Sequence, residues 1–185
     1  TAWRLFGHGC IVLAYTLTGG IIKAGGGIMI TTNNALLTKE DFATRDDLPE
    51  WLLKEYETFH SIVTDTTFPC YFGMAAELGG ELRYAYITQK DWSNLPNALE
   101  SFLKLFDDPK HKRHGLFVFV EPFETECSLE DYRKQFWDIL QHLHQVDKIE
   151  WPAESPRDPE HFLWDFHFQG EPVFAFGNAP AYKQR

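Results

Sequence analysis

The chain has 185 residues, a net charge of −10 and a pI near 5.2. It is long enough to bury about 70 % of its unfolded surface around one core without a metal or disulfide staple. Its acidity argues against nucleic acid or an anionic membrane surface as partner and favours a small cationic or neutral substrate. Three cysteines, Cys10, Cys70 and Cys127, form no close pair, which excludes a disulfide framework and a CxxC zinc site and makes a reducing cytoplasm the expected location. Aromatic residues make up 16 % of the chain, a content that suits ordinary packing and a planar ligand equally.

The chain begins at Thr1 rather than Met, so a start is expected to be missing. Residues 1–46 read as an N-terminal segment of uncertain role. Cys10 to Tyr15 is apolar, but Gly19-Gly20 and Gly25-Gly26-Gly27 break any span of membrane length, and no signal-peptide pattern is present. The glycine spacing fits neither GxxxxGK[ST] nor GxGxxG, so short strands with a glycine turn are expected. Thr38 to Asp41 resembles a capping box, and Asp47-Leu48-Pro49 opens a helix expected over 49–63.

Thr67-Phe68-Pro69-Cys70-Tyr71-Phe72-Gly73 sets a thiol among rings at a rigid bend, with proline before it and glycine after it. If the chain has a reactive centre, Cys70 belongs to it; most free cysteines, however, are simply packed. Residues 81–87 alternate as a strand, with Leu82, Tyr84 and Tyr86 on one face and Arg83 and Ala85 on the other. A helix is expected over 93–106. The histidine-containing loop Lys110 to His114 has no ligand spacing and reads as surface. The continuously apolar strand 115–121 is expected to be central and covered on both faces, with Glu121 as an acid at its end.

Ser128 to Asp131 is a capping box for a helix over 129–146. Its helical projection buries Tyr132, Phe136, Ile139, Leu140, Leu143 and Val146, places Gln135 and His142 in solvent, and leaves His144 semi-buried with a partner. A core histidine bonded to a carbonyl and a ligand are both open for His144. Trp151 to Pro159 reads as an ordered loop over a site. Strands over 162–168 and 172–177 form a hairpin around Gln169-Gly170-Glu171-Pro172, bringing Trp164, Phe166 and Phe168 together with Asp165 and His167 opposite. The expected fold is α+β: a single domain with a mostly antiparallel sheet and helices packed on it.

Phe68-Pro69-Cys70-Tyr71-Phe72-Gly73, Gly80-Glu-Leu-Arg-Tyr84, Phe136-Trp137…Leu143-His144, Asp158-Pro159-Glu-His161, Gly170-Glu171-Pro172 and Phe176-Gly-Asn178-Ala-Pro180-Ala, in this order, resemble the YqcI/YcgG family over about residues 47–185. The family's pattern continues into a basic segment beyond Ala181, so residues 47–185 are expected to be a domain truncated at its C-terminus. The resemblance implies a heme-dependent N-oxygenase that oxidises the nitrogen of a small guanidine or amine in biosynthesis, using heme b and an external electron donor. It also allows a homodimer. It implies Cys70 as axial ligand, because a thiolate promotes O–O cleavage, with His144, His60 and His167 as alternatives. Phe68, Tyr71, Phe72 and Trp164 would contact the cofactor, and Arg83 would pair a propionate. Glu121 would anchor a cationic nitrogen, and Asn178 would hold substrate or oxygen. Two other classes stay open: a non-enzymatic heme-binding or heme-sensing domain, and a cysteine hydrolase using Cys70 with His144 or His167 as base and Asp165 to orient it.

Overall fold

Leu116 to Val120 is apolar at every position, and the strand it forms, β3 (Gly115–Val120), is buried along its whole length. In the computed structural model, which describes residues 10–14, 36–68, 70–107, 115–125 and 127–179, the order of elements begins β1 (Cys10–Ala14), α1 (Asp41–Thr44), α2 (Glu50–Val63), α3 (Tyr71–Leu78). It continues with β2 (Leu82–Ile87), α4 (Leu95–Leu103), a 3-10 turn (Lys104–Asp107), β3, α5 (Leu129–Val146), β4 (Phe166–Phe168) and β5 (Glu171–Asn178). Pro69, the glycine-rich stretch after Tyr15 and the basic loop 110–114 lie outside the described residues.

The strands lie in the order β2-β3-β1-β5-β4. The mostly antiparallel α+β sheet expected from the sequence is corrected here. β2 and β3 run parallel, Leu82 opposite Gly115 through Ile87 opposite Val120, while the β4–β5 ladder is antiparallel and only three pairs long. The parallel direction follows from the connection. The connection between β2 and β3 contains α4, which packs on the sheet, and a helical crossover of this kind is what a parallel pair requires. β1 is antiparallel to both β3 and β5, so the sheet is mixed.

Both faces of the sheet are covered, which is why β2 and β3 can be apolar on both sides. On one face Ala85, Ile87, Leu116, Val118 and Val120 pack against Leu95, Leu99 and Phe102 of α4 and Ile139, Leu140 and Leu143 of α5. On the other, Leu82, Tyr84, Phe117 and Phe119 meet Leu52, Phe59 and Val63 of α2 and Ala76 of α3. The second core is built of rings: Phe42 stacks on Tyr56 with centroids 3.7 Å apart, and Phe59 lies 4.2 Å from Phe117.

Local expectations hold in part. Ser128 and Asp131 form the reciprocal cap of α5. Gln169 and Gly170 both have positive φ, 54° and 79°, the backbone of a two-residue type I′ hairpin turn. β4 is shorter than expected and excludes Trp164. α3 was not expected: the bend at Cys70 starts a helix. On α5, Gln135 is buried rather than solvated, because its amide donates to Gln89 Oε1 at 2.9 Å, and Val146 is exposed. The two histidines also exchange roles. His142 packs its ring edge-on to Trp92, whereas His144 is exposed beside Trp151.

Candidate functional site

Cys70 is the N-cap of α3, with an extended backbone, and its Sγ accepts a hydrogen bond from the Gly73 N–H at 3.3 Å. Cysteine is not among the residues that cap helices well, so the sulfur occupies a place where serine or aspartate would bond more strongly. The thiol is half-buried. Beside it Tyr71 is 72 % exposed and Phe72 44 % exposed, while Phe68 packs on the ring-rich core. A half-exposed thiol flanked by two exposed rings forms an exposed apolar surface. Gly73 keeps its α-carbon close to the sulfur and to Phe68; a Cβ there would stand 3.6 Å from Sγ and 3.5 Å from Phe68 Cε1.

One turn beyond Gly73, on the same face of α3 as Cys70, lies a group the sequence did not single out. Glu77 is completely buried. Its Oε1 accepts from the Tyr56 hydroxyl at 3.0 Å and lies 2.6 Å from His60 Nδ1, and its Oε2 accepts from the Tyr84 hydroxyl. Burial and the neighbouring carboxylate push both tyrosine hydroxyls well above the usual range. In Tyr71-Phe-Gly-Met-Ala-Ala-Glu-Leu the acid reads as an ordinary polar helix residue. The spacing of α2 offered a clue, since Tyr56 and His60 stand four apart and present their polar ends on one helix face.

The other expected site residues fall in different places. Arg83 Nη1 donates to the carbonyls of Gly80 and Leu82, both at 2.8 Å, so this arm of the guanidinium braces the turn before β2. Glu121 follows β3, where its Oε2 accepts from Gln89 N at 2.9 Å and the Gln89 amide donates to its carbonyl. Asn178 ends β5 and lines a cleft of about 380 Å³ with Val120, Arg133, Gln135 and Phe136. β5 is antiparallel to β1, and β1 is antiparallel to β3, so Glu121 and Asn178 both stand at the carboxyl end of parallel-running strands. That edge is the usual ligand crevice of open α/β sheets. His144 and Trp164 share a second cleft of about 380 Å³ with Trp137, Asp138, Trp151 and Arg157.

The histidines differ in what they can hold. His167 is buried with Nε2 3.2 Å from Ser155 Oγ and Nδ1 2.9 Å from the Asp165 carbonyl, so both ring nitrogens are engaged. The Asp165 contact is through its backbone, not through the carboxylate that a catalytic triad requires. His60, half-exposed and tied through Nδ1 to buried Glu77, has the carboxylate–imidazole arrangement that orients a metal-binding histidine. Among the described residues no group of three or more His, Cys, Asp or Glu converges as a metal site. No helix among them is long and apolar enough to cross a membrane.

A mixed, helix-covered sheet that presents an N-capping thiol beside exposed rings, with clefts along α5, defines the class: an α/β domain with a candidate ligand sulfur. A model of the YqcI/YcgG family matches residues 59–185, and the chain belongs to that family. It is 32 % identical over 162 residues to "Uncharacterized protein YcgG" of Bacillus subtilis (strain 168), covering 82 % of this chain and 64 % of the relative. It is 28 % identical to "Uncharacterized protein YqcI" of the same organism over 149 residues, 76 % of this chain and 59 % of the relative. To "Putative N(omega)-hydroxy-L-arginine synthase DcsA" of Streptomyces lavendulae it is 27 % identical over 160 residues, 83 % and 60 %. The chain thus spans about three fifths of the length of these curated relatives. No solved structure gives a significant match.

Proposed function

We propose that this chain carries the cofactor-binding part of a heme-dependent N-oxygenase acting on a small guanidine or amine, with Cys70 as the iron ligand. The observation that carries the reading is the Cys70 sulfur itself, half-buried, held by the Gly73 N–H and flanked by the exposed rings of Tyr71 and Phe72. These residues fit a heme: a soft donor, an N–H to the sulfur that tunes it, and flat apolar surface beside it. The name of the Streptomyces relative, "Putative N(omega)-hydroxy-L-arginine synthase DcsA", supports the nitrogen chemistry.

When bound, the heme would supply oxygen activation, with electrons from an external donor. The protein's own part is positional. Cys70 Sγ would hold the iron, Gly73 N–H would fix the sulfur lone pair, and the motif's rings would exclude water from one face. The Glu77 cluster would set the angle of α3, and with it the direction of the thiol. Glu121 remains a candidate for holding the nitrogen of a small cationic or neutral substrate, and Asn178 for a hydrogen bond to another part of the same molecule. A homodimer would be a further means of covering the exposed rings of Tyr71 and Phe72.

A second reading has its own observation. The His60–Glu77 pair resembles the carboxylate-backed histidine of other metal sites, and that contact makes His60 a stronger alternative ligand than His144, which packs beside Trp151. Absorption spectra in ferric, ferrous and ferrous-CO forms, with Cys70→Ala, His60→Ala and His144→Ala beside the parent, separate these. An intense Soret band lost or shifted by Cys70→Ala alone is the expected result. A band moved only by His60→Ala transfers the ligand to the histidine. A protein that stays colourless with added heme overturns the reading, and ready alkylation of Cys70 would then favour the hydrolase class.

A further inference from the structure

We infer that the cleft between α5 and the end of β5 is a binding site for a small carboxylate on an apolar body. The cleft holds about 380 Å³ and is walled by Phe136 and Trp137 on one side and by Val120 and residues 175–179 on the other. Its size and apolar walls are those of a small-molecule site. Gly177 lets the Phe136 ring lie close against the strand, since a Cβ at that position would stand 3.1 Å from Phe136 Cδ2.

The polar groups of this cleft state what it lacks. Asn178 is 5 % exposed, and its Nδ2 has no hydrogen-bond partner among the described residues. Buried donors left unpaired are rare in folded proteins and are costly unless something accepts from them. The charged lining residue is the exposed Arg133, whose Nη1 stands 4.0 Å from Glu130 Oε2, an ion-pair distance too long for a hydrogen bond. Gln135, which also lines it, has already committed its amide to Gln89. Among the described residues no Asp or Glu lines the cleft, so a guanidinium or ammonium finds no counter-charge there. Two donors, one of them a guanidinium, call for an anionic acceptor of planar geometry, and a carboxylate accepts from both. None of Phe68, Cys70, Tyr71, Phe72 or Arg83 lines this cleft, so its occupancy is measurable whether or not the chain binds heme.

The test is titration of the isotope-labelled 185-residue chain with 3-phenylpropionate, followed through the side-chain amide signals of Asn178. The uncharged 3-phenylpropanamide and the cationic 3-phenylpropylamine serve as controls. The carboxylate alone should shift those signals and saturate, with a Kd of about a millimolar or tighter. Asn178→Asp, which replaces the donors by acceptors at equal size, should weaken binding by about tenfold or more. Arg133→Gln, on an exposed face of α5, should weaken it by about threefold or more with an unchanged melting temperature. Unsaturable shifts, equal response to the amide or the amine, or full binding by Arg133→Gln and Asn178→Asp would each overturn the assignment. Should Asn178→Asp fail to fold, Arg133→Glu decides, with loss of binding supporting the site and retention overturning it.

Discussion

His60 Nδ1 lies 2.6 Å from Oε1 of Glu77, so a half-exposed imidazole on α2 reaches a carboxylate that no solvent touches. The same oxygen accepts from Tyr56, and the second oxygen accepts from Tyr84, which ties α2, α3 and β2 at one point. Removing one donor leaves a buried carboxyl oxygen short of a partner. Tyr84→Phe is expected to destabilise the chain by about 1.5–3 kcal/mol, and Glu77→Ala by more, since it orphans two hydroxyls at once. Chemical denaturation with unchanged m-values checks both.

The same cluster fixes an alkaline limit. The hydroxyls of Tyr56 and Tyr84 are raised above the ordinary value of 10.0 by burial and by Glu77. Above about pH 10 the unfolded chain therefore releases protons that the folded chain keeps, and stability falls as pH rises. Below that value the contribution is fully present. Two tyrosines should show phenolate absorbance only as the protein unfolds, and Tyr84→Phe should flatten the loss. A fold whose stability is level from neutrality through the tyrosine range would contradict this.

Cys70 stands where an oxygen would serve the helix better. Cys70→Ser keeps the N-cap acceptor for Gly73 N–H and improves it, so the variant should be as stable as the parent or more so, by about 0.5–1 kcal/mol. Under the heme reading it should also lose the thiolate spectrum. A gain in stability with a loss of cofactor separates a functional thiol from a packed one. If Cys70→Ser costs several kcal/mol, the sulfur is structural.

Gly177 marks where β5 meets α5. A Cβ there would press on Phe136, a half-buried ring that also lines the cleft. Gly177→Val is expected to cost about 1–3 kcal/mol through overpacking and to abolish carboxylate binding in the cleft. Thermal unfolding reports the first effect and ligand titration the second.

Local patterns determined much of this protein. The Ser128–Asp131 cap and the apolar repeat specified α5, and unbroken hydrophobicity at Leu116 to Val120 specified a strand covered on both faces, because these signals depend only on neighbours in the chain. The order of motifs from Phe68 to Asn178 carried the family. Strand direction was not written locally. An alternating strand looks the same whether its partner runs with it or against it, and only the crossover through α4 made β2 and β3 parallel. The same limit hid Glu77, whose partners Tyr56, His60 and Tyr84 converge on it from α2 and β2. It also exchanged His142 and His144, since a helical projection ranks residues by their own helix while Trp92 and Trp151, from elsewhere in the chain, decide which ring is enclosed. Period and capping are properties of adjacent residues, whereas burial of a particular polar group is a property of what the tertiary fold places against it.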